Sequence, residues 1–107
     1  MAKPPEFYLQ MKKDHPELVS AYESLGKAAR GAGPLDDQVQ ALVKLGLSIG
    51  GGMESSTHSS TRKALAAGCS EEQIRHAVLL AVTTIGFPSM MRARAWVEDV
   101  LSKNDNS

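Results

Sequence analysis

Nine consecutive residues near the middle of the chain carry most of its chemical potential: Met53-Glu54-Ser55-Ser56-Thr57-His58-Ser59-Ser60-Thr61. A carboxylate, an imidazole and a run of hydroxyls stand together, and Met53 is the one large apolar side chain among them. On a helix, Glu54, His58 and Thr61 share a face at i, i+4 and i+7, and Ser56, Ser60 and Lys63 share the neighbouring one. Glu54 and His58, one turn apart, supply an acid and a base that exchange protons near neutral pH. Ser56 and Ser60 suit the lining of a polar pocket, and Arg62 or Arg92 suits the neutralisation of a substrate carboxylate. The same small hydroxyls also suit a tightly packed helix–helix contact, and composition leaves both readings open.

The remaining reactive side chains read more simply. His15 precedes Pro16 in a helix cap, and His76 follows Glu72 by four residues as an exposed helical pair. Cys69 is the single cysteine, which excludes an internal disulfide and a cysteine-based zinc cluster and fits a reducing compartment. It reads as an inert small residue. Gly50-Gly51-Gly52 offers backbone N–H groups to an anion but lacks the Lys and Ser/Thr of a phosphate loop, so a tight turn is the simpler reading. No metal and no cofactor is expected.

The elements that position these residues are all helical, because no segment alternates apolar and polar residues for the length of a strand. Pro4-Pro5 opens a short helix over Glu6 to Lys13. Pro16 suits the first turn of the next, with Asp14 or His15 as cap and Leu18, Val19, Tyr22, Leu25 and Ala29 as its stripe. Gly31-Ala32-Gly33-Pro34 stops it. Asp36 or Asp37 caps a third helix with Val39, Leu42, Val43, Gly46 and Ile49 as its apolar positions. The hydroxyl-rich segment becomes a fourth helix, about 53–67, although serine and threonine are poor helix formers. Ser70-Glu71-Glu72-Gln73 has the capping-box pattern and starts a fifth helix with Ile74, Ala77, Val78, Ala81 and Ile85 inward. Short connections predict that the fourth and fifth helices form a hairpin about Gly68. After Gly86-Phe87-Pro88 a last helix, about 89–102, turns Met90, Ala93, Val97 and Leu101 inward, with Trp96 beside them. The expectation is an all-α bundle of five or six helices, one domain over 1–107, with about 1–15 as an N-terminal arm and 103–107 as a frayed tail.

Composition narrows the function classes. Twelve basic and twelve acidic side chains cancel in 107 residues, which removes the basic footprint of a nucleic-acid binder and any draw to an anionic membrane surface. The longest uncharged stretch, Ala77 to Met91, is interrupted by Gly86 and Pro88 and is too short to span a bilayer. The N-terminal MAKPPEFYLQ has no apolar core of the kind a secretory signal needs. A small cytoplasmic domain is the expectation. Its many alanines, glycines and serines and its five aromatic residues make a fine-grained interior, so association with copies of itself is a natural way to bury more area.

Taken in order, several pieces resemble one family. Asp14-His15-Pro16-Glu17-Leu18-Val19, Gly33-Pro34-Leu35-Asp36, Leu42-Val43-Lys44-Leu45, the run from His58 to Gly68, Ser70-Glu71-Glu72-Gln73-Ile74 and Gly86-Phe87-Pro88 look like the carboxymuconolactone decarboxylase and AhpD-like (alkylhydroperoxidase D) family. The resemblance spans nearly the whole chain. It implies an all-helical fold and a homo-oligomer, trimer or hexamer, that takes a small-molecule ligand. The family's redox members carry a Glu, two Cys and a His that fall here on Ala41, Met53, Ser56 and Ser60. The thiolate that attacks a peroxide and the thiol that resolves the product are both missing, so peroxidase or peroxiredoxin activity is not expected. The second histidine of a His-x-His stretch found in similar members is Ser60 here, leaving His58. The decarboxylase branch also lacks the cysteine pair. Resemblance to it implies a cofactor-free lyase in which Glu54 and His58 act as acid and base, with Ser56, Ser60, Arg62 and Arg92 binding a small acidic substrate. A non-catalytic oligomer that binds a small molecule is the alternative.

Overall fold

The computed structural model describes residues 6–105, and among them every regular element is a helix. By backbone contacts the chain divides into two compact units, Met1–Leu35 and Asp36–Ser107. The first holds α1 (Glu6–Asp14) and α2 (Pro16–Arg30). His15 is the N-cap of α2 without a side-chain cap bond, and Pro16 fills the first turn, where a missing N–H costs nothing. Tyr8 Oη donates to Glu23 Oε2 at 2.8 Å, tying α1 to α2. Of the stripe expected on α2 only Val19 is buried, while Leu18, Tyr22 and Leu25 are exposed. The Pro4-Pro5 opening lies outside the described residues.

The second unit holds α3 (Asp37–Gly50), α4 (Glu54–Ala66), α5 (Glu71–Leu80), the single turn α6 (Val82–Ile85) and α7 (Phe87–Asp105). Asp36 caps α3 by accepting the Val39 N–H at 2.9 Å, a bond worth about 1 kcal/mol. Ser70 and Gln73 close a full capping box on α5. The core is one cluster of Leu45, Ile49, Ala64, Cys69, Ile74, Val78, Met90, Ala93, Val97 and Leu101. All four positions expected to face inward on the last helix do so. The α3 stripe is corrected in part: Ile49 is buried and Leu42 packs on the core as expected, while Val39 and Val43 are exposed and Leu45 and Ser48 point inward instead. Both sets repeat at three and four, and periodicity alone does not say which side of a helix meets the core. The expected hairpin of α4 and α5 is also corrected, since α4 packs mainly on α3 and α7.

Three glycines occupy left-handed backbone that other residues rarely adopt: Gly52, Gly68 and Gly86, at φ +66°, +95° and +93°. They bound α4 on both sides and separate α6 from α7. A Cβ at Gly68 would lie 2.8 Å from Gln38 Nε2, the end of a flexible side chain that would have to move aside. No helix among the described residues is long and apolar enough to cross a membrane.

Candidate functional site

The hydroxyl-rich segment forms α4 against its own local preferences, held by what surrounds it. Its N-cap residue, Met53, has no side-chain cap bond. The entry is fixed by backbone instead: Gly52 N–H donates to Ile49 O at 3.0 Å, Met53 N–H to Ser48 O at 3.1 Å and Thr57 N–H to Met53 O at 2.9 Å. Thr57, Ser60, Thr61 and Ala64 then form its buried face.

Two polar clusters sit on α4. On its α3 side, Ser48 Oγ lies 2.7 Å from Ser56 Oγ and 3.0 Å from Ser60 Oγ, so one buried hydroxyl of α3 joins both serines singled out in the sequence. Within α4, Thr61 Oγ1 donates to Thr57 O at 2.7 Å. The Thr57 hydroxyl, fully buried, has no partner. On the α7 side, His58 Nε2 lies 3.1 Å from Asp99 Oδ2. The histidine side chain is 24 % exposed and the aspartate 59 %. Glu54 is exposed in the first turn of α4, and the carboxylate that meets His58 is Asp99.

A cleft of about 80 Å³ is lined by Ile49, Gly50, Gly52, Ile85, Ser89, Arg92 and Trp96. It lies where the end of α3, the end of α6 and the first half of α7 come together. The Arg92 guanidinium stands 6.0 Å from the centre of the Trp96 ring, at the outer range of a cation–π contact. Arg92, Trp96 and Asp99 follow one another at i, i+4 and i+7, hence along one face of α7. Trp96 and Asp99 are about 4.5 Å apart along the helix axis. The cleft and the His58–Asp99 pair are therefore neighbours on one helix stripe.

Of the residues picked from sequence, Ser56 and Ser60 meet through Ser48, His58 meets Asp99, and Arg92 lines the cleft. Arg62 is half-buried on α4 and does not line the cleft. Asp99 was missed, and no local spacing signals it, because its partner lies 41 residues earlier. Ser48 was missed too, although a serine between Leu45 and Ile49 at helical spacing is a readable sign of a polar group facing inward. Cys69, at the turn before α5, is buried with its Sγ 3.7 Å from Gln38 O. Burial and then the negative charge of Asp36 push its thiol above the ordinary value, which disfavours the reactive thiolate. The positions of the family's redox residues hold no thiol: Met53 folds back toward Gly51, and Ser56 and Ser60 are engaged with Ser48.

The family model for the carboxymuconolactone decarboxylase family matches residues 16–99. Among solved structures, a carboxymuconolactone decarboxylase family protein from Legionella pneumophila in its apo form superposes with a TM-score of 0.77 at 23 % identity, over 89 % of this chain and 85 % of that one. That likeness extends to the fold. No curated protein matches the chain.

Proposed function

The chain belongs to the carboxymuconolactone decarboxylase family, and from that premise we propose that it is a cofactor-free, decarboxylase-like enzyme working by acid/base chemistry on a small organic acid. The observation that carries this reading is the hydrogen bond between His58 and Asp99 one turn from a cleft that contains an arginine. With Asp99 accepting from Nε2–H, the other ring nitrogen, Nδ1, is the one that exchanges a proton with substrate. Arg92 holds the anionic oxygen on which charge collects as the reaction proceeds. In the step itself the carbon–carbon bond to the departing carboxylate breaks, its electron pair moves into a conjugated carbonyl, carbon dioxide leaves, and His58 delivers to the carbon a proton that its Nδ1 has taken from water. Glu54, exposed one turn before His58, is in this reading a rim residue that meets the substrate from the solvent side. A thiol peroxidase reading has no support, since the thioether of Met53 and the hydroxyl of Ser56 cannot cycle through a disulfide.

The competing reading, a non-catalytic binding protein, is favoured by the exposure of Asp99, because a carboxylate open to water orients an imidazole weakly. Decarboxylation of a panel of unsaturated lactone and keto carboxylates, followed by loss of ultraviolet absorbance, separates the two. His58→Gln should lower kcat by about 10² or more. Asp99→Asn should lower it less, with KM little changed. Turnover that survives His58→Gln would overturn the acid/base assignment, and saturable binding with no turnover of any acid would establish the binding reading.

A further inference from the structure

The three glycines between α3 and α4 are not alike. Gly52 takes left-handed backbone, which favours glycine. A Cβ at Gly51 would stand 2.9 Å from Met53 Cε and 3.3 Å from the Leu47 carbonyl oxygen, so close contact accounts for that one. Gly50 has neither reason. It ends α3 in helical backbone, and a Cβ placed on it would meet nothing within 4 Å. Glycine weakens helical backbone relative to alanine, so alanine would serve the fold better at this position. What Gly50 does have is a place in the wall of the Arg92–Trp96 cleft. The cation of that cleft is also unspent. Arg92 meets the Trp96 ring and, among the described residues, pairs with no carboxylate.

We propose that Gly50 sets the size of the acid this cleft admits, and that the acids it admits are short open-chain carboxylates held by Arg92. The proposal rests on the small-acid part of the reading above and narrows it. Apart from Arg92 and the Ser89 hydroxyl, the side chains of the wall are those of Ile49, Ile85 and Trp96. The carbon chain of an acid gains by burial against them, and its anionic end is drawn to the one cation. Volume limits how much chain can enter. An apolar cavity of about 150 Å³ holds a benzene ring. The cleft offers about 80 Å³, room for roughly three or four heavy atoms on the same scale. A six-membered ring does not fit inside whole, and a chain of a few carbons does. A methyl group on Gly50 would stand in open space at this wall and take up roughly 30 Å³, the share of one water molecule. The bare backbone of Gly50 keeps that share open.

Trp96 is the single tryptophan and stands in the cleft wall, so its emission reports occupancy without any turnover. The probes are acetate, propionate, butyrate and hexanoate at constant ionic strength, saturated acids that lack a carbonyl to take up an electron pair and therefore bind without reacting. In the wild type, affinity should rise about fourfold per added methylene as far as butyrate and level off by hexanoate, whose last carbons lie outside. Gly50→Ala should weaken butyrate about tenfold and acetate hardly at all, so the plateau arrives one carbon earlier. Gly46→Ala, on the same helix but outside the cleft and with its Cβ equally free of contacts, should leave the whole series as in the wild type. If Gly50→Ala fails to fold, the plateau of the wild-type series decides by itself. Affinity that keeps rising beyond butyrate, a folded Gly50→Ala variant that weakens all the acids alike or none, or no response to any acid would overturn the proposal. The acid/base reading fails separately. A series of this shape in a protein that decarboxylates nothing sinks that reading and leaves this one. Turnover of a ring-bearing acid by Gly50→Ala at the wild-type rate sinks this one and leaves that.

Discussion

Helices α4 and α5 are close in sequence and opposite in construction. α5 begins with a complete capping box and turns Ile74 and Val78 into the core. Its residues are mostly good helix formers, so local preference and tertiary packing agree. α4 begins without a side-chain cap and buries Thr57, Ser60 and Thr61 along with Ala64. Two of its hydroxyls find partners at Ser48 and at a backbone carbonyl one turn earlier, and the Thr57 hydroxyl finds none. A bond from a threonine back to its own helix competes with helical structure, so α4 depends on its neighbours to stay wound. Selection for stability alone would have filled that inner face with aliphatic groups. The difference separates a helix that holds the fold from one whose polar inner face is kept at some cost in stability, beside the groups that can move protons.

Substitutions in the two helices can break this contrast. The largest effect is expected on the α5 side: Ile74, fully buried, replaced by Ala should lower the unfolding free energy by about 2–5 kcal/mol, read by urea denaturation. A loss well under 1 kcal/mol would show that α5 does not anchor the core. Next comes Ser48→Ala, which removes the shared partner of Ser56 and Ser60 and leaves the buried Ser60 hydroxyl without it. The expected cost is about 1–3 kcal/mol, and a neutral result would mean that the hydroxyl cluster is incidental packing. The smallest effect has the opposite sign. Thr57→Val keeps the shape and deletes an unpartnered buried hydroxyl, so it should raise stability by about 1 kcal/mol. If the substitution instead destabilises, Thr57 has a polar partner in solution and the contrast between the two helices narrows.

The same contrast explains what could be read in advance. The all-helical class, the turns at the glycines, the capping box at Ser70 and the inward face of α7 follow from local rules that the sequence obeys. The inner side of α3 did not follow, because Val39, Val43, Leu45 and Ile49 give two apolar stripes and only one meets the core. Short connections likewise point α4 to its neighbour in sequence, α5, whereas its main contacts are with α3 and α7. At the site, one-turn spacing pairs Glu54 with His58. The structure brings His58 to Asp99 from the far end of the unit, and a contact across 41 residues leaves no periodic trace. Local spacing ranks the candidates on one helix and is silent about what the facing helix presents.

The bonds that start α4 have an evolutionary consequence. Gly51, Gly52, Met53 and Thr57 enter the helix through backbone donors and acceptors, and Gly68 closes the far side through its own dihedral angles. No side chain between Met53 and Ser56 is spent on fixing where the helix begins. The first turn is therefore a stretch whose letters can be rewritten without shifting the register of anything behind it. Thiols, hydroxyls or a thioether can occupy the same positions, and the scaffold keeps its shape while its reactivity is exchanged.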